Sequence, residues 1–235
     1  TRELTTSQAK TQIADAAKAR YSGVALSGGE PTLRKDLAEL IRFARQNGIS
    51  DVQLHTNGTV IDSRARLQKL VDAGLTSAMV SFHSHRSDVY RKNTGHSNLE
   101  KARASIKSLL AAKIHTLISH VVCAHNYRDL PEFSDYVARE FGGAEIFFFY
   151  VYPGDKTNEH PEIVPRLPDV EPYWYRALAR LEKLGVRYTV DCLAGFPPCY
   201  MRGFEHAAKI LWMKSLQEEI GEEADDHIIK RSEMR

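Results

Sequence analysis

The sequence predicts an α/β protein in which parallel strands alternate with helices, and three observations carry that prediction. Apolar periodicity switches repeatedly between the helical and the strand period along the chain. The short apolar runs end, one after another, in small or polar clusters: SGGEP, HTNG, FHSH, CAHN and PGD. Consecutive runs are separated by one helical pattern, giving repeats of roughly 30 residues, the size of a right-handed βαβ unit.

Ile13, Ala16 and Ala17 mark a first helical face, and GVALS follows as a buried strand. Leu37, Leu40, Ile41 and Ala44 mark the next helix, and DVQLHT the next strand. A helix through Leu67, Leu70 and Val71 stops at Gly74 before SAMVSF. Leu99, Ala102, Ile106, Leu109 and Leu110 lead to IHTLISHVV; Leu130, Phe133, Val137 and Phe141 lead to AEIFFFYVY, which closes at Pro153-Gly154. The Pro-rich stretch 154–172 reads as a surface loop. Pro172 is expected to open a helix with Trp174, Leu178 and Leu181 inward, ended by Gly185. VRYTV is one more strand, GFPPC a turn, and a last helix is expected from about Phe204 to Ile220. The final stretch, EEADDHIIKRSEMR, is highly charged and is expected to fray.

Together these elements make a partial (β/α)6 TIM-like barrel with parallel strands over residues 1–155, and a small C-terminal α/β extension over 156–235. Ligands bind such folds at the carboxyl ends of the strands, where the polar clusters lie. The pattern begins on a helix, and Thr1 is not an initiator Met. The expectation is therefore that a strand and its loop precede Thr1.

The 235 residues suit one α/β domain with a small appendage, and the net charge of +2 gives no reason to expect nucleic acid or membrane as partner. There is no apolar run of membrane-spanning length and no signal-peptide pattern. Cys123, Cys192 and Cys199 are few, odd in number and widely spaced, which suits a reducing compartment; the expected location is the cytoplasm.

The strongest local signal is GVALSGGEPTLRKDL. Gly28 and Gly29 at a strand end allow close approach to the backbone, and Glu30 presents a carboxylate beside them. This is a site for a small cationic group, although an ordinary strand-to-helix turn has the same composition. SGGEP followed by HTNG on the next strand, then VSFHS, TGHSNLEKARASIKSLL and HVVCAHN, resembles the radical SAM superfamily. The resemblance implies that Gly28, Gly29 and Glu30 receive the methionine amino group of S-adenosylmethionine (SAM). It implies a [4Fe–4S] cluster whose open iron chelates SAM, and an electron donor such as flavodoxin or ferredoxin. Reductive cleavage then yields a 5′-deoxyadenosyl radical that takes hydrogen from a peptide or small biosynthetic precursor. Thr56, Asn57, Ser81, His83, Arg91, Asn126 and Tyr152 are further candidates for SAM contacts. TNG is also a good turn, Arg91 also suits a solvated helix entry, and Asn126 also suits a turn.

The family's C-x-x-x-C-x-x-C loop is absent from these residues, so its ligands are expected outside them. VDCLAGFPPCYMRGF resembles the stretch beyond the barrel in radical SAM enzymes with an auxiliary [4Fe–4S] cluster. Cys199, stiffened by Pro197 and Pro198, is the candidate ligand there, with Cys192 behind it; both also suit structural thiols.

Two other readings compete. His55, His83, His85, His120 and His125 gather at predicted strand ends, and His83-Ser84-His85 suits a metal-dependent barrel hydrolase. That reading lacks an Asp closing a later strand and leaves Gly28–Glu30 unexplained. A catalytically inactive barrel acting as a binding partner is the third. The codons upstream of Thr1 check the first reading: a C-x-x-x-C-x-x-C segment is expected there, and an upstream stretch without cysteines would sink it.

Overall fold

The structure, a computed structural model, describes residues 3–61, 63–152, 154–192, 196–209 and 228–231. The chain forms two compact units, one of residues 1–80, 101–116 and 213–235, the other of residues 81–100 and 117–212.

In the first unit α1 (Thr6–Lys18) starts at a capping box, in which Thr5 and the Gln8 side chain satisfy each other's amides. It buries Ala9, Ile13 and Ala16 on one face. β1 (Gly23–Leu26) is buried along its whole length, as a strand covered on both faces must be. β2 (Asp51–Thr56) pairs with it in parallel, Gly23 opposite Asp51 and Leu26 opposite Leu54; β3 (Ser77–Ser81) pairs in parallel with β2. The crossovers are α2 (Leu37–Gln46) and α3 (Arg64–Ala73), the latter ended by Gly74 in the left-handed region.

In the second unit come α4 (Ser87–Thr94), the start of α5 (Leu99–Ala111), β4 (His115–Val122) from Leu117 onward, and α6 (Leu130–Glu140). They are followed by β5 (Glu145–Tyr150), a short α7 (Asp155–Asn158), α8 (Leu167–Leu184), β6 (Tyr188–Asp191) and the two-residue β7 (Ala208–Lys209). β4, β5, β6 and β7 lie side by side and parallel. Trp174 of α8 stacks on Phe196 with ring centroids 4.2 Å apart and meets Phe148 of β5 edge-on at 5.1 Å, so the turn before Cys199 is tied to the core. Parallel strands alternating with helices place the chain in the α/β, partial TIM-like barrel class that the sequence predicts.

Three expectations need correction. The helix expected to open at Pro172 begins at Leu167, because Pro168 occupies its first turn, where a missing N–H costs nothing; Pro172 lies inside the helix. Around Phe204 the described residues form a 3₁₀ turn (Glu205–Ala207) and then β7; the rest of the expected helix, 210–220, lies outside the described residues. The charged end contains β8 (Ile228–Arg231), antiparallel to β1, at the one place in that stretch where two β-branched residues adjoin. Pro153, Gly195 and the remainder of the charged end also lie outside the described residues. Residues 156–209 of the expected extension belong to the second unit with β4 and β5. Among the described residues no helix is long and apolar enough to cross a membrane.

The second unit buries a histidine within an aromatic cluster. His120 is 1% exposed; its ring centroid lies 4.1 Å from that of Phe133, and its Nδ1 donates to the Phe82 carbonyl at 3.2 Å. Burial, and then the nearby His83, push its pKa down to about 3; burial pushes His83 down to about 4. Both values lie below the ordinary 6.5, so between pH 6.5 and 4 the unfolded chain binds more protons than the folded one. Stability should therefore be complete above pH 6.5 and fall on acidification by roughly 1 kcal/mol per pH unit for each histidine. Urea titrations at pH 7 and 4.5 check this: His120→Leu should show a smaller loss between the two, and an equal loss would remove His120 as a cause.

Candidate functional site

β1 ends at Leu26, and the chain leaves it through Ser27, Gly28 and Gly29. Gly28 has φ +135°, open to glycine but strained for any side chain. A Cβ built on Gly29 meets nothing within 4 Å, so the backbone beside it is open, and both glycines are exposed. Glu30 follows as the cap of a 3₁₀ turn over Pro31–Leu33. Its Oε1 accepts from the Thr32 amide at 3.2 Å and the Thr32 hydroxyl at 2.5 Å.

The end of β2 completes the arrangement. Thr56 donates its hydroxyl to Glu30 Oε1 at 2.7 Å, and the Asn57 amide donates to Glu30 Oε2 at 2.8 Å. Gly58, at φ +72°, turns the chain back: its amide donates to Thr56 Oγ1 at 3.0 Å, and its carbonyl accepts from Ser105 of α5. A Cβ here would stand 2.9 Å from Val80 Cγ1, so the turn can approach β3 only as glycine. Asn57 Oδ1 accepts from the Thr59 amide at 2.9 Å, closing an Asx turn. The structure thus brings together five of the expected residues: Gly28, Gly29, Glu30, Thr56 and Asn57. Thr56 and Asn57 act on Glu30 rather than standing free toward a ligand.

A carboxylate offers about four lone-pair positions. Three donors crowd Oε1 and one reaches Oε2, leaving Oε2 able to accept one more. A half-buried carboxylate with a free acceptor position, beside bare glycine backbone, suits an ammonium group. On the other side of the turn, Arg34 donates to both Asp36 oxygens, at 3.0 and 2.7 Å, and to the Leu4 carbonyl at 2.8 Å. Burial works against the Asp36 charge, yet hydrogen bonds from Arg34 and Thr6 hold its pKa below the ordinary value. Thr32, Arg34 and Asp36 escaped the sequence reading. The one available signal was the Glu-x-Thr spacing, which lets a hydroxyl fold back on the carboxylate.

Ser81, His83, Arg91, Asn126 and Tyr152 belong to the second unit. Asn126 is 2% exposed and fully engaged. Its Oδ1 accepts from the Cys123 amide at 2.8 Å, and its Nδ2 donates to the carbonyls of His83 at 2.9 Å and Val121 at 2.8 Å. It is a turn former, clamping the chain past β3 to the end of β4. His83 Nδ1 accepts from the Val121 amide at 3.1 Å, so its proton sits on Nε2. Ser81 is half-buried, Arg91 is exposed on α4, and the Tyr152 ring is 65% exposed. His83, Lys92, Asn93 and Cys123 border a cleft of about 220 Å³ with Val121 and Val151.

The histidines do not converge on a metal. His55 pairs with Gln53 at 2.8 Å, His85 stacks on Tyr136 at 5.2 Å, His120 is buried, and His125 meets Asn93 at 3.0 Å. Among the described residues no group of three or more His, Cys, Asp or Glu side chains is placed to hold a metal ion. Cys199 is exposed, whereas Cys192 is buried; burial, and then Asp191, push the Cys192 thiol up to about 11.

Comparison with known proteins places the chain in a family. Residues 1–137 match the Radical SAM superfamily. A probable GTP 3',8-cyclase of Methanococcus maripaludis is 30% identical over 143 residues, 60% of this chain and 48% of that protein. Fe-coproporphyrin III synthase of Methanosarcina barkeri is 34% identical over 154 residues, 65% of this chain and 38% of that protein. The chain thus spans about half or less of the length of these curated relatives. The crystal structure of Streptococcus suis SuiB bound to S-adenosylmethionine shares the fold, with TM-score 0.66 and 15% identity over 80% of this chain and 44% of that one.

Since Gly29 has open space and no positive φ, Gly29→Ala should leave the thermal midpoint within a few degrees of wild type. Gly58→Ala should lower it clearly, by about 1–3 kcal/mol of stability, from strain and the Val80 clash. Calorimetric melting of both variants checks this; equal midpoints would mean that the Gly58 turn yields at no cost.

Proposed function

The chain belongs to the radical SAM superfamily, and on that premise we propose that the Gly28–Glu30 turn binds the methionine ammonium of SAM. The single observation that carries this reading is the Glu30 carboxylate, held by four donors with one acceptor position remaining, beside a backbone without side chains. Glu30 accepts the ammonium, Gly28 and Gly29 admit it, and Thr32, Thr56 and Asn57 position the carboxylate. Such positioning lowers the entropy lost on binding, because the acceptor is already aimed. Arg91 is assigned to the SAM carboxylate, Ser81 and His83 to contacts near the cleft, and the exposed Tyr152 ring to adenine or substrate.

When bound, SAM and a reduced [4Fe–4S] cluster supply one-electron cleavage of a C–S bond, which starts radical chemistry on the substrate. The substrate is proposed to be a small biosynthetic precursor or a peptide; the names of the cyclase and the coproporphyrin synthase favour the former. An electron donor such as flavodoxin or ferredoxin, a cytoplasmic location, and a division into a core over 1–155 and an extension over 156–235 complete the reading. Cys199, and behind it Cys192, are proposed as ligands of an auxiliary [4Fe–4S] cluster; exposure favours Cys199, and the raised pKa of Cys192 sets it second.

A charge-assisted contact of this kind contributes about 1.5–3 kcal/mol. Glu30→Ala should therefore weaken SAM binding by roughly ten- to a hundred-fold, and Gly29→Val should weaken it by filling the approach. Titration calorimetry on cluster-reconstituted full-length protein measures both. Affinity equal to wild type in both variants would remove the assignment.

A further inference from the structure

The turn that carries Glu30 has a second anchor, which none of the Glu30 contacts accounts for. Glu30 caps one end of the 3₁₀ turn Pro31–Leu33, and Arg34 caps the other, its amide donating to the Pro31 carbonyl at 3.0 Å. The Glu30 end is fixed to β2 by Thr56 and Asn57. The Arg34 end is fixed by the Arg34 side chain, which reaches the start of α1.

Arg34 Nη1 donates to the Leu4 carbonyl at 2.8 Å and to Glu3 Oε1 at 3.0 Å. Its Nε and Nη2 donate to the two Asp36 oxygens, at 3.0 and 2.7 Å. Asp36 Oδ2 also accepts from the Thr6 hydroxyl at 2.7 Å, so the pair grips the first turn of α1 as well as the residues before it. A guanidinium carries five N–H groups in one plane; four are engaged here, which leaves one. The Arg34 side chain is 16% exposed and that of Asp36 19%, so water and salt screen the pair little. An arginine in this state has small capacity for a ligand. It holds two pieces of chain at one separation.

Between those pieces lies the space beside the glycine turn. Its volume is about 290 Å³, and it is bordered by Glu3 and Leu4, by Gly28, Gly29 and Glu30, and by Arg34 itself. A turn of bare glycine backbone has no side chains with which to set the opposite wall. Arg34 sets it, by hydrogen bonds that run from the end of the turn to residues 3 and 4. A wall held in place confines the bound group near Glu30 Oε2 and lowers the cost of ordering the site on binding.

We infer that Arg34 is a positioning residue: through Leu4 and Asp36 it holds the wall facing Gly28–Glu30, and so sets the affinity of the site for an ammonium group without touching the ligand. The inference rests on the assignment of the SAM ammonium to Glu30. The test uses cluster-reconstituted full-length protein and three probes, with affinities read by titration calorimetry. SAM carries both the amino group and the carboxylate, decarboxylated SAM keeps only the amino group, and methylthioadenosine lacks both. Arg34→Ala should weaken SAM and decarboxylated SAM alike, by about ten-fold, and leave methylthioadenosine unchanged. Arg34→Lys should fall between, because one ammonium cannot span the Leu4 carbonyl and both Asp36 oxygens; it carries the test where Arg34→Ala does not fold. Equal loss for all three probes would make Arg34 a general support of the fold. Loss for SAM alone would make it a contact of SAM's carboxylate, and no loss for any probe would show that the wall stands without it. Each of these results overturns the inference. Glu30→Ala separates it from the assignment beneath it. If Glu30→Ala weakens the two amino-bearing probes and the Arg34 variants do not, the inference fails and the assignment stands. If Glu30→Ala binds SAM as wild type does, the assignment fails and the inference with it.

Discussion

The Glu30 carboxylate accepts from the Thr32 amide and hydroxyl, the Thr56 hydroxyl and the Asn57 amide, and through these bonds it couples the end of β1 to the end of β2. Other features of the first unit serve that coupling. Gly28 and Gly29 bring the chain to Glu30 without side chains, and Pro31 fixes the exit into the 3₁₀ turn that supplies Thr32. Gly58 allows the β2 turn to close against Val80 and α5, which holds the Asn57 amide on Oε2. Arg34 and Asp36 pin the same turn to residues 4 and 6. A side chain with three rotatable bonds is thereby reduced to one orientation, and its remaining acceptor position becomes a site.

The second unit uses neutral groups where the first uses a charge. His83 and His120 are kept unprotonated by burial, and Asn126 spends all its hydrogen bonds on backbone. Asn126 thereby shapes the ends of these strands. Asn93 on α4 accepts from Cys123 and His125, and its Nδ2 is buried without a partner among the described residues.

How far the sequence reveals each element follows from its physics. The strands were legible because a buried parallel strand is a nearly continuous apolar run, as GVAL and EIFFFY are. Gly74 and Gly185 were legible helix ends because both adopt the left-handed conformation that glycine favours. Pro172 misled because a proline signals a helix start only when no earlier proline has taken the first turn, and Pro168 had. β7 and β8 are two and four residues long, too short for a period to show, and their pairing with β6 and β1 is a long-range event.

The candidate site divides along the same line. The sequence by itself determined that two glycines and a glutamate end a strand, and that a Thr-Asn-Gly turn ends the next. Both are local patterns, set by backbone sterics and by the period of two along a strand. Only the tertiary structure decided what each side chain does there. It made Thr56 and Asn57 supports for Glu30, added Thr32, gave Asn126 to the backbone, scattered the histidines, and gathered Lys92, Asn93 and Cys123 around one cleft. Hydrogen-bond partners lie tens of residues apart in the chain, 26 between Glu30 and Thr56 and 30 between Asn93 and Cys123, and only the folded backbone brings them within 3.5 Å.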